Sequence, residues 1–273
     1  MNENIMLNIA IAFSLLFAMS FCSSFQKTQC AGVTVDQAYR DSTATALVRA
    51  AVKGKTSEVE RLVKAGADPN YLEEGSVPML IWTLCAQNKK GYEALLKMGA
   101  DPNLGGTGEG FAGTGFIGNA YMRRSRSLIE KGWSATVLAA AIEDPFYLRL
   151  ALQYGGNVNA IKGDSPSHRP LLQAAHEGLF DNVKILLAAG ADINTHDNQY
   201  DYYTAPVQAI LSYDRFDIVA YLLEQGYNHD LESLRRYSNR ATNQEMEPYR
   251  EKVIQMLTDR GIEYKYQHLL DKF

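Results

Sequence analysis

Apolar residues recur along the chain at intervals of three and four, in six segments that each end at a glycine. One segment places Val59, Leu62 and Val63 before Gly66. This i, i+3, i+4 spacing predicts an amphipathic helix, and the glycine suits the left-handed position that follows a helix. The five other segments of this kind end at Gly99, Gly155, Gly190, Gly226 and Gly261. The pattern therefore predicts six helices with a common ending.

The residues around these glycines form a repeat. The string Gly-Ala-Asp-Pro-Asn at residues 66–70 recurs at residues 99–103, and looser copies follow the four later glycines. Successive leading glycines are 33, 56, 35, 36 and 35 residues apart. Self-similarity at a nearly fixed period of this size is typical of solenoid arrays. We expect the Asp or Asn after each glycine to bond nearby backbone and begin a turn.

A second, shorter helix is predicted upstream in each unit. Residues 45–54 and 169–178 are two copies, and residues 135–144 and 205–214 are further ones. Pro170 stands in a first helical turn, where its missing N–H is not needed. Pairs of alanines in these helices allow neighbouring helices to approach closely.

The two segments together resemble the ankyrin repeat, in its T-P-L-H-x-A-A-x-x-G and L-L-x-x-G-A-D-x-N motifs. The resemblance covers residues 44–263 in six units, of which the first and fourth are closest. No unit keeps the full T-P-L-H, and the second has Trp82 and Thr83 where small residues are expected. The unit from Leu231 is polar and irregular, as a terminal cap is.

The resemblance implies an all-α ankyrin-repeat solenoid of about six helix-turn-helix units. Stacking of neighbouring units supplies the core that no unit can form alone. The segments between units, here called fingers, project along one edge as hairpins. Fingers and shorter helices together are the binding face that such a fold implies.

Composition and motifs narrow the function. The chain has 273 residues, 46% of them hydrophobic, and a net charge of −4, which argues against a basic nucleic-acid-binding protein. It contains no GxSxG, HExxH or P-loop motif. We therefore expect no enzyme activity, no catalytic or metal-binding residue, and no cofactor.

An uncharged apolar run spans residues 5–21 and is followed by a polar stretch. This predicts a signal peptide over residues 1–21, a tether over 22–43 and a repeat domain over 44–273. No Lys or Arg precedes the run, and Glu3 does, so an uncleaved anchor remains an alternative. We expect the remainder to lie outside the cytoplasm, in the periplasm.

The three cysteines fit this localisation. Cys22 directly follows the apolar run, where a bacterial lipoprotein signal places its lipidated cysteine. Phe21 fits that signal poorly, so ordinary cleavage nearby stays open. Lipidation of Cys22 leaves Cys30 and Cys85 as a possible pair in an oxidising compartment. Cys85 also fits as a small apolar residue packed in a helix.

The interval of 56 residues between Gly99 and Gly155 is 23 residues longer than the period of 33. We assign the added residues to an insertion at about residues 104–134. Its first half matches GxGxxG twice, beginning at Gly108 and Gly113. A nucleotide site would need a βαβ unit around it, whereas a helix and a turn precede it, so a nucleotide or small-ligand binder is a remote alternative. We expect a mobile insertion in a finger, with Phe111 and Phe116 docked on this protein's own helices or on a partner.

Several residues of the predicted fingers are candidates for binding a protein partner. Tyr121 and three nearby arginines form a positive patch, either a solvated turn or an ionic anchor for an acidic partner. The fourth finger concentrates tyrosines, which give large contact area at low entropic cost. The candidates are Tyr71, Glu73, Glu74, Phe111, Phe116, Tyr121, Arg123, Arg124, Arg126, His168, His196, Tyr200, Tyr202 and Tyr203.

An ankyrin array behind an export signal resembles the periplasmic, often lipid-anchored immunity proteins of type VI secretion phospholipase effectors. The resemblance implies that the partner is a secreted toxic lipase, neutralised by obstruction of its active site or its access to membrane. Membrane contact would occur only through an N-terminal lipid anchor. The alternative is a periplasmic ankyrin scaffold that supports an envelope enzyme.

Overall fold

The computed structural model describes residues 29–30, 33–107, 110–111, 128–129, 132–161, 169–196 and 203–264. Within them, one short helix precedes six helix pairs, and two short antiparallel ladders lie outside the pairs. The helices are α1 Val35–Ala38, α2 Ser42–Val52, α3 Thr56–Lys64, α4 Met79–Cys85, α5 Lys89–Lys97, α6 Ala135–Ala140, α7 Pro145–Gln153, α8 Pro170–His176, α9 Phe180–Ala188, α10 Ala205–Tyr213, α11 Phe216–Glu224, α12 Leu231–Tyr237 and α13 Glu247–Asp259. Strand β1 Gln29–Cys30 pairs with β2 Val33–Thr34, and β3 Gly110–Phe111 pairs with β4 Leu128–Ile129.

The six glycines that end the apolar segments adopt the predicted conformation. All have φ between 77° and 102°, a region that a side chain disfavours. Each follows the second helix of a pair, so the six predicted helix ends are confirmed. A matching left-handed position joins the two helices of a pair, at Gly54 and Gly178 and also at Gln87 and Asp214.

The pairs stack into one continuous core. The first helix of each pair from α2 to α10 packs on the first helices of the neighbouring pairs, and the second helices line up behind them. The prediction that the first helix is the shorter one fails in the first pair, where α2 has 11 residues and α3 has 9. Every unit contributes a fully buried aliphatic side chain to this core, and examples along the array are Leu47, Leu95, Leu148, Leu186, Leu222 and Leu257. Burial between units therefore supplies the stability that an isolated helix pair lacks.

Asparagine side chains join successive fingers along one edge. Asn70 Nδ2 donates to the Gly99 carbonyl at 2.9 Å, and its Oδ1 accepts from the Asp101 N–H at 2.7 Å. Asn103 makes the same two bonds to Gly155 and Asn157, at 2.9 and 2.7 Å. Asn159 and Asn194 continue the series. We call this row, Asn70, Asn103, Asn159 and Asn194, the asparagine ladder.

The ladder is uninterrupted at the insertion. The Pro102 carbonyl accepts from both the backbone N–H and the hydroxyl of Thr136, at 3.0 and 2.9 Å. These bonds hold the two ends of the insertion together, so the third pair stacks on the second despite the added residues. Long loops cost little extra entropy once their ends are fixed.

Replacing Asn103 with alanine is expected to lower the free energy of unfolding by about 1 to 2 kcal/mol, because its side-chain hydrogen bonds to Gly155, Asn157 and Thr136 of the next unit are lost. Urea unfolding followed by circular dichroism measures this. Lys90→Ala, at an exposed position, serves as a control and is expected to change the free energy little. Equal stabilities of Asn103→Ala and wild type would show that the ladder contributes nothing.

The sixth pair is irregular, as its sequence predicts. Helix α12 is short, and a stretch of nine residues, 238–246, precedes α13. Arg260 donates to the carbonyls of Leu223 and Tyr227, at 2.7 and 2.9 Å. A cation at the carbonyl end of α11 is electrostatically favourable. These bonds of Arg260 also fix the sixth helix pair on the fifth. Across the described residues, no helix has the length and apolarity to cross a membrane.

Candidate protein-binding face

The N-terminal segment, residues 29–30 and 33–41, lies on the second unit. A disulfide joins Cys30 to Cys85 of α4, with 5.7 Å between the Cα atoms. The sequence left open whether these cysteines pair or whether Cys85 only fills space in a helix. The structure shows the pair. Residues 33–41, within the predicted tether, are therefore a folded part of the array.

Tyr39 and Trp82 form the centre of this contact. Their ring centroids are 6.3 Å apart, and Trp82 and Tyr39 are 0% and 2% exposed. The Tyr39 hydroxyl donates to the Val77 carbonyl at 2.6 Å, and burial raises the pKa of that hydroxyl. Trp82 and Thr83 stand where small residues were expected, and the unit packs normally because the N-terminal segment covers Trp82.

The first finger, residues 67–78, is fixed to the N-terminal segment by Glu73. Its Oε1 accepts from the backbone N–H groups of Arg40 and Asp41, at 2.6 and 3.1 Å. The same oxygen accepts from the Tyr71 hydroxyl at 3.1 Å. Burial alone would raise the pKa of this carboxyl, but the donated bonds outweigh it, so the pKa lies below the ordinary 4.5.

Of the three candidates in the first finger, two therefore contact this protein's own chain. Tyr71 is half-buried and packs beside Tyr39, with 6.3 Å between ring centroids. Glu73 is occupied by the bonds described above, whereas Glu74 is exposed. Their contact with a partner stays a prediction, and Glu74 is the one whose side chain is most accessible.

The depressed pKa of Glu73 predicts a pH dependence of stability. Its carboxylate stabilises the fold above the ordinary glutamate pKa, and this contribution is lost as the pH falls through the lower, folded-state value. Between about pH 6 and pH 3, wild type is therefore expected to lose more free energy of unfolding than Glu73→Gln, whose side chain does not titrate.

Urea unfolding at a series of pH values compares the two proteins. Glu74→Gln, one residue further and exposed, is the matched control and is expected to follow wild type. Parallel curves for wild type and Glu73→Gln would mean that the Glu73 carboxylate does not fix the finger.

The insertion begins and ends as a hairpin stem, residues 104–107, 110–111, 128–129 and 132–134. The Gly106 N–H donates to the Trp133 carbonyl at 3.1 Å, and the Gly132 N–H donates to the Gly106 carbonyl at 2.8 Å. A Cβ at Gly105 would lie 3.0 Å from the Gly132 carbonyl oxygen, so glycine permits this close pairing. The ends of the predicted mobile insertion are thus paired strands.

Thr107 joins this stem to the first finger. Its N–H donates to the Ser76 carbonyl at 3.0 Å and its hydroxyl donates to the Glu73 carbonyl at 2.8 Å. The same hydroxyl oxygen accepts from the Gly75 N–H at 3.1 Å. The described ends of the glycine-rich stretch thus meet a finger and each other, which differs from the βαβ surroundings of a dinucleotide site.

The fourth finger, residues 191–204, is closed at its base. His196 and Thr204 form an antiparallel bridge, and the Thr195 hydroxyl accepts from Arg169 at 2.7 Å. The His196 ring stacks on His229 with 3.9 Å between centroids and 11° between planes. Tyr203 is half-buried against the core, so it differs from the freely exposed tyrosine that the sequence predicts.

Other predicted residues lie outside the described part of the chain, or have only their backbone described. Phe111 belongs to β3, and its side chain is not described. The residues outside are Cys22, Phe116, Tyr121, Arg123, Arg124, Arg126, His168, Tyr200 and Tyr202. Their roles remain predictions from sequence.

Sequence reasoning missed the residues that fix the face. Tyr39, Thr107 and the asparagine ladder act between segments that are far apart in the chain. An Asn recurs four residues after each of Gly66, Gly99, Gly155 and Gly190, and this regular position was the one signal that could have revealed the ladder. Tyr39 and Thr107 have no such pattern.

Comparison with known proteins agrees with this geometry. A solved ankyrin repeat domain from Acinetobacter baumannii AYE superposes with a TM-score of 0.58 at 19% sequence identity, covering 80% of this chain and 98% of that one. The chain has the ankyrin-repeat fold. The Ankyrin repeat family model matches residues 168–198, the fourth unit, which is one of the two closest to the motif by sequence. The predicted all-α ankyrin solenoid is thus confirmed.

This chain is also similar in sequence to a curated protein. Protein PhlB of Serratia liquefaciens is 29% identical over 196 residues, which cover 71% of this chain and 74% of that protein. Ankyrin arrays present extended surfaces to their partners. This chain therefore has the architecture of a protein-binding module.

Proposed function

We propose that this ankyrin array is an exported immunity protein that binds and neutralises a toxic lipase acting in the periplasm. The array obstructs the active site of the lipase or the surface with which the lipase meets the membrane. Inhibition is steric, so the proposal assigns no chemical step to the array's own residues.

The disulfide between Cys30 and Cys85 is the observation that carries the export part of the proposal. Disulfides persist in oxidising compartments and are rare in the cytosol. The uncharged apolar run at residues 5–21 suits a signal peptide, and Cys30 lies only nine residues after it. Cys22 would supply a lipid anchor at the membrane that the lipase attacks.

The finger edge supports inhibition of a folded partner. The asparagine ladder, Glu73 and Thr107 hold neighbouring fingers in one arrangement before any partner is present. A preorganised surface avoids the entropic cost of ordering on binding. The insertion at about residues 104–134 makes its unit 23 residues longer than the period of 33, and a segment of this added length suits entry into a partner's cleft, as an inhibitor of an enzyme requires.

Co-expression in bacteria tests the proposal. A lipase encoded beside this chain's gene is directed to the periplasm, with and without the full chain. We expect growth to be arrested by the lipase alone and restored by the full chain. A copy of the chain without residues 1–21 stays in the cytoplasm and is expected not to protect.

Equal arrest with and without the full chain would contradict the immunity function. A neighbouring gene that encodes no lipase would also count against it and favour the scaffold alternative. A scaffold would instead raise the activity or the stability of an envelope enzyme, which the same co-expression measures for that enzyme.

A further inference from the structure

We propose that the Cys30–Cys85 disulfide is a redox latch that completes the binding face only after export. The latch consists of the N-terminal segment and its disulfide to α4. It acts on the candidate binding face through a series of three contacts. Its regulatory role rests on the proposed function, because only then is that face the one that meets the partner.

The first contact joins the segment to the second unit. The disulfide links β1 to the end of α4, and Tyr39 covers Trp82 and bonds the Val77 carbonyl. Helix α1 adds only four residues, of which Val35 and Ala38 are buried. With so few apolar side chains, the segment depends strongly on its covalent link.

The second contact joins the segment to the first finger. Glu73 reaches back to the N–H groups of Arg40 and Asp41, which lie just before α2. A cavity of about 850 Å³ lies beside this contact, between finger and segment, and Gln37, Arg40 and Glu73 are among the residues that line it. Tyr39 also meets the finger, at the Tyr71 ring and the Val77 carbonyl, and the Glu73 carboxylate adds the two bonds to the backbone of the segment.

The third contact passes from the first finger to the hairpin stem. Thr107 makes three hydrogen bonds to residues 73, 75 and 76 of the finger. The described base of the insertion is therefore held by a finger that the N-terminal segment contacts. Release of the segment is expected to loosen the finger and the stem together, while the fourth to sixth units stay folded.

The redox step is a thiol–disulfide exchange. The thiols of Cys30 and Cys85 lose two electrons and two protons as the S–S bond forms. A disulfide of an exchange partner takes them up and becomes two thiols. In the reducing cytosol the latch stays open, and in an oxidising compartment it closes.

Hydrogen exchange measured by mass spectrometry, without any partner, tests the latch. The full chain is compared in oxidised form, after reduction, and as Cys30→Ala/Cys85→Ala. We expect the reduced and double-variant forms to lose protection by about tenfold or more in residues 33–41, 71–77 and 104–107. Helices α9 to α11 are expected to keep theirs, because each unit of a solenoid contacts only its neighbours.

Glu73→Ala in oxidised protein tests the coupling without touching a cysteine. We expect it to lower protection in residues 71–77 and 104–107, with Glu74→Ala as the matched control. Unchanged exchange on reduction would overturn the latch. Loss of protection confined to residues 33–41 would overturn the coupling. Loss of protection spread evenly over all units would overturn the latch as well, because the disulfide would then stabilise the whole array and not the face in particular.

The latch and the proposed function are tested by different measurements, so either one can be contradicted without the other. Exchange in the absence of a partner reports the latch alone, and protection of cells reports the immunity function alone. A latch that opens on reduction in a protein that inhibits no lipase would leave the coupling intact and remove only its proposed purpose.

Discussion

Replacing Trp82 with alanine is expected to lower the free energy of unfolding by about 3 to 5 kcal/mol, the range for large aromatic side chains in a core. Trp82 is completely buried and is the largest fully buried side chain among the described residues. It fills the contact between α4 and Tyr39, so its removal leaves a cavity beneath the N-terminal segment. The rigid stacking of helices on both sides limits collapse into that cavity.

Guanidinium unfolding followed by circular dichroism measures this loss. Trp82→Phe retains a ring and is expected to lose clearly less. Tyr249→Ala, at an exposed site on α13, controls for removal of an aromatic side chain and is expected to have little effect. A Trp82→Ala protein as stable as wild type would mean that the N-terminal segment does not pack on the array.

Replacing Tyr200 and Tyr202 with alanine is expected to weaken partner binding by about 100-fold or more, because a hot-spot aromatic residue contributes about 2 kcal/mol or more. Both lie in the fourth finger by sequence. Tyr203 is left unchanged because it packs against the core. Its replacement would mix a loss of stability with a loss of contact.

Calorimetric titration with the purified partner measures the affinity, and thermal unfolding shows that the fold is unaffected. Tyr249→Ala again serves as the matched control, since it removes an exposed tyrosine outside the fingers. An affinity equal to that of wild type would exclude these two tyrosines from the interface.

The repeat architecture could be predicted from sequence because its signals are local. Gly66 and its five counterparts end apolar segments at nearly constant spacing, and all six adopt the left-handed conformation. A helix end and a turn depend on a few consecutive residues, so the sequence around each glycine is enough to predict them. The number of units, six, and the irregularity of the last one could therefore both be predicted from these local signals.

The contacts that fix the candidate face could not be predicted in the same way. Glu73 bonds residues 32 and 33 positions earlier, and Cys30 pairs with a cysteine 55 residues away. No local pattern encodes such pairings. The sequence marks Glu73 and Tyr71 as finger residues that are candidates for binding a partner, and the structure places both in contact with the N-terminal segment.

The insertion likewise has features that could be predicted from sequence and a pairing that could not. Its length was evident from the spacing of 56 residues between glycines, and its glycine content was evident from the sequence itself. Its paired stem was not, because β3 and β4 are separated by 16 residues and the glycines that allow close approach also suit a flexible linker. Composition alone did not distinguish a flexible linker from a paired hairpin stem.

Inhibition of phospholipid hydrolysis tests the central claim most directly. The lipase that the proposal expects to be encoded beside this chain's gene is mixed with phospholipid vesicles and titrated with the oxidised, exported chain. We predict that fatty-acid release falls to background at an equimolar ratio, as expected for tight steric blockade. Full hydrolysis in the presence of excess chain, with no complex on size-exclusion chromatography, would contradict the claim.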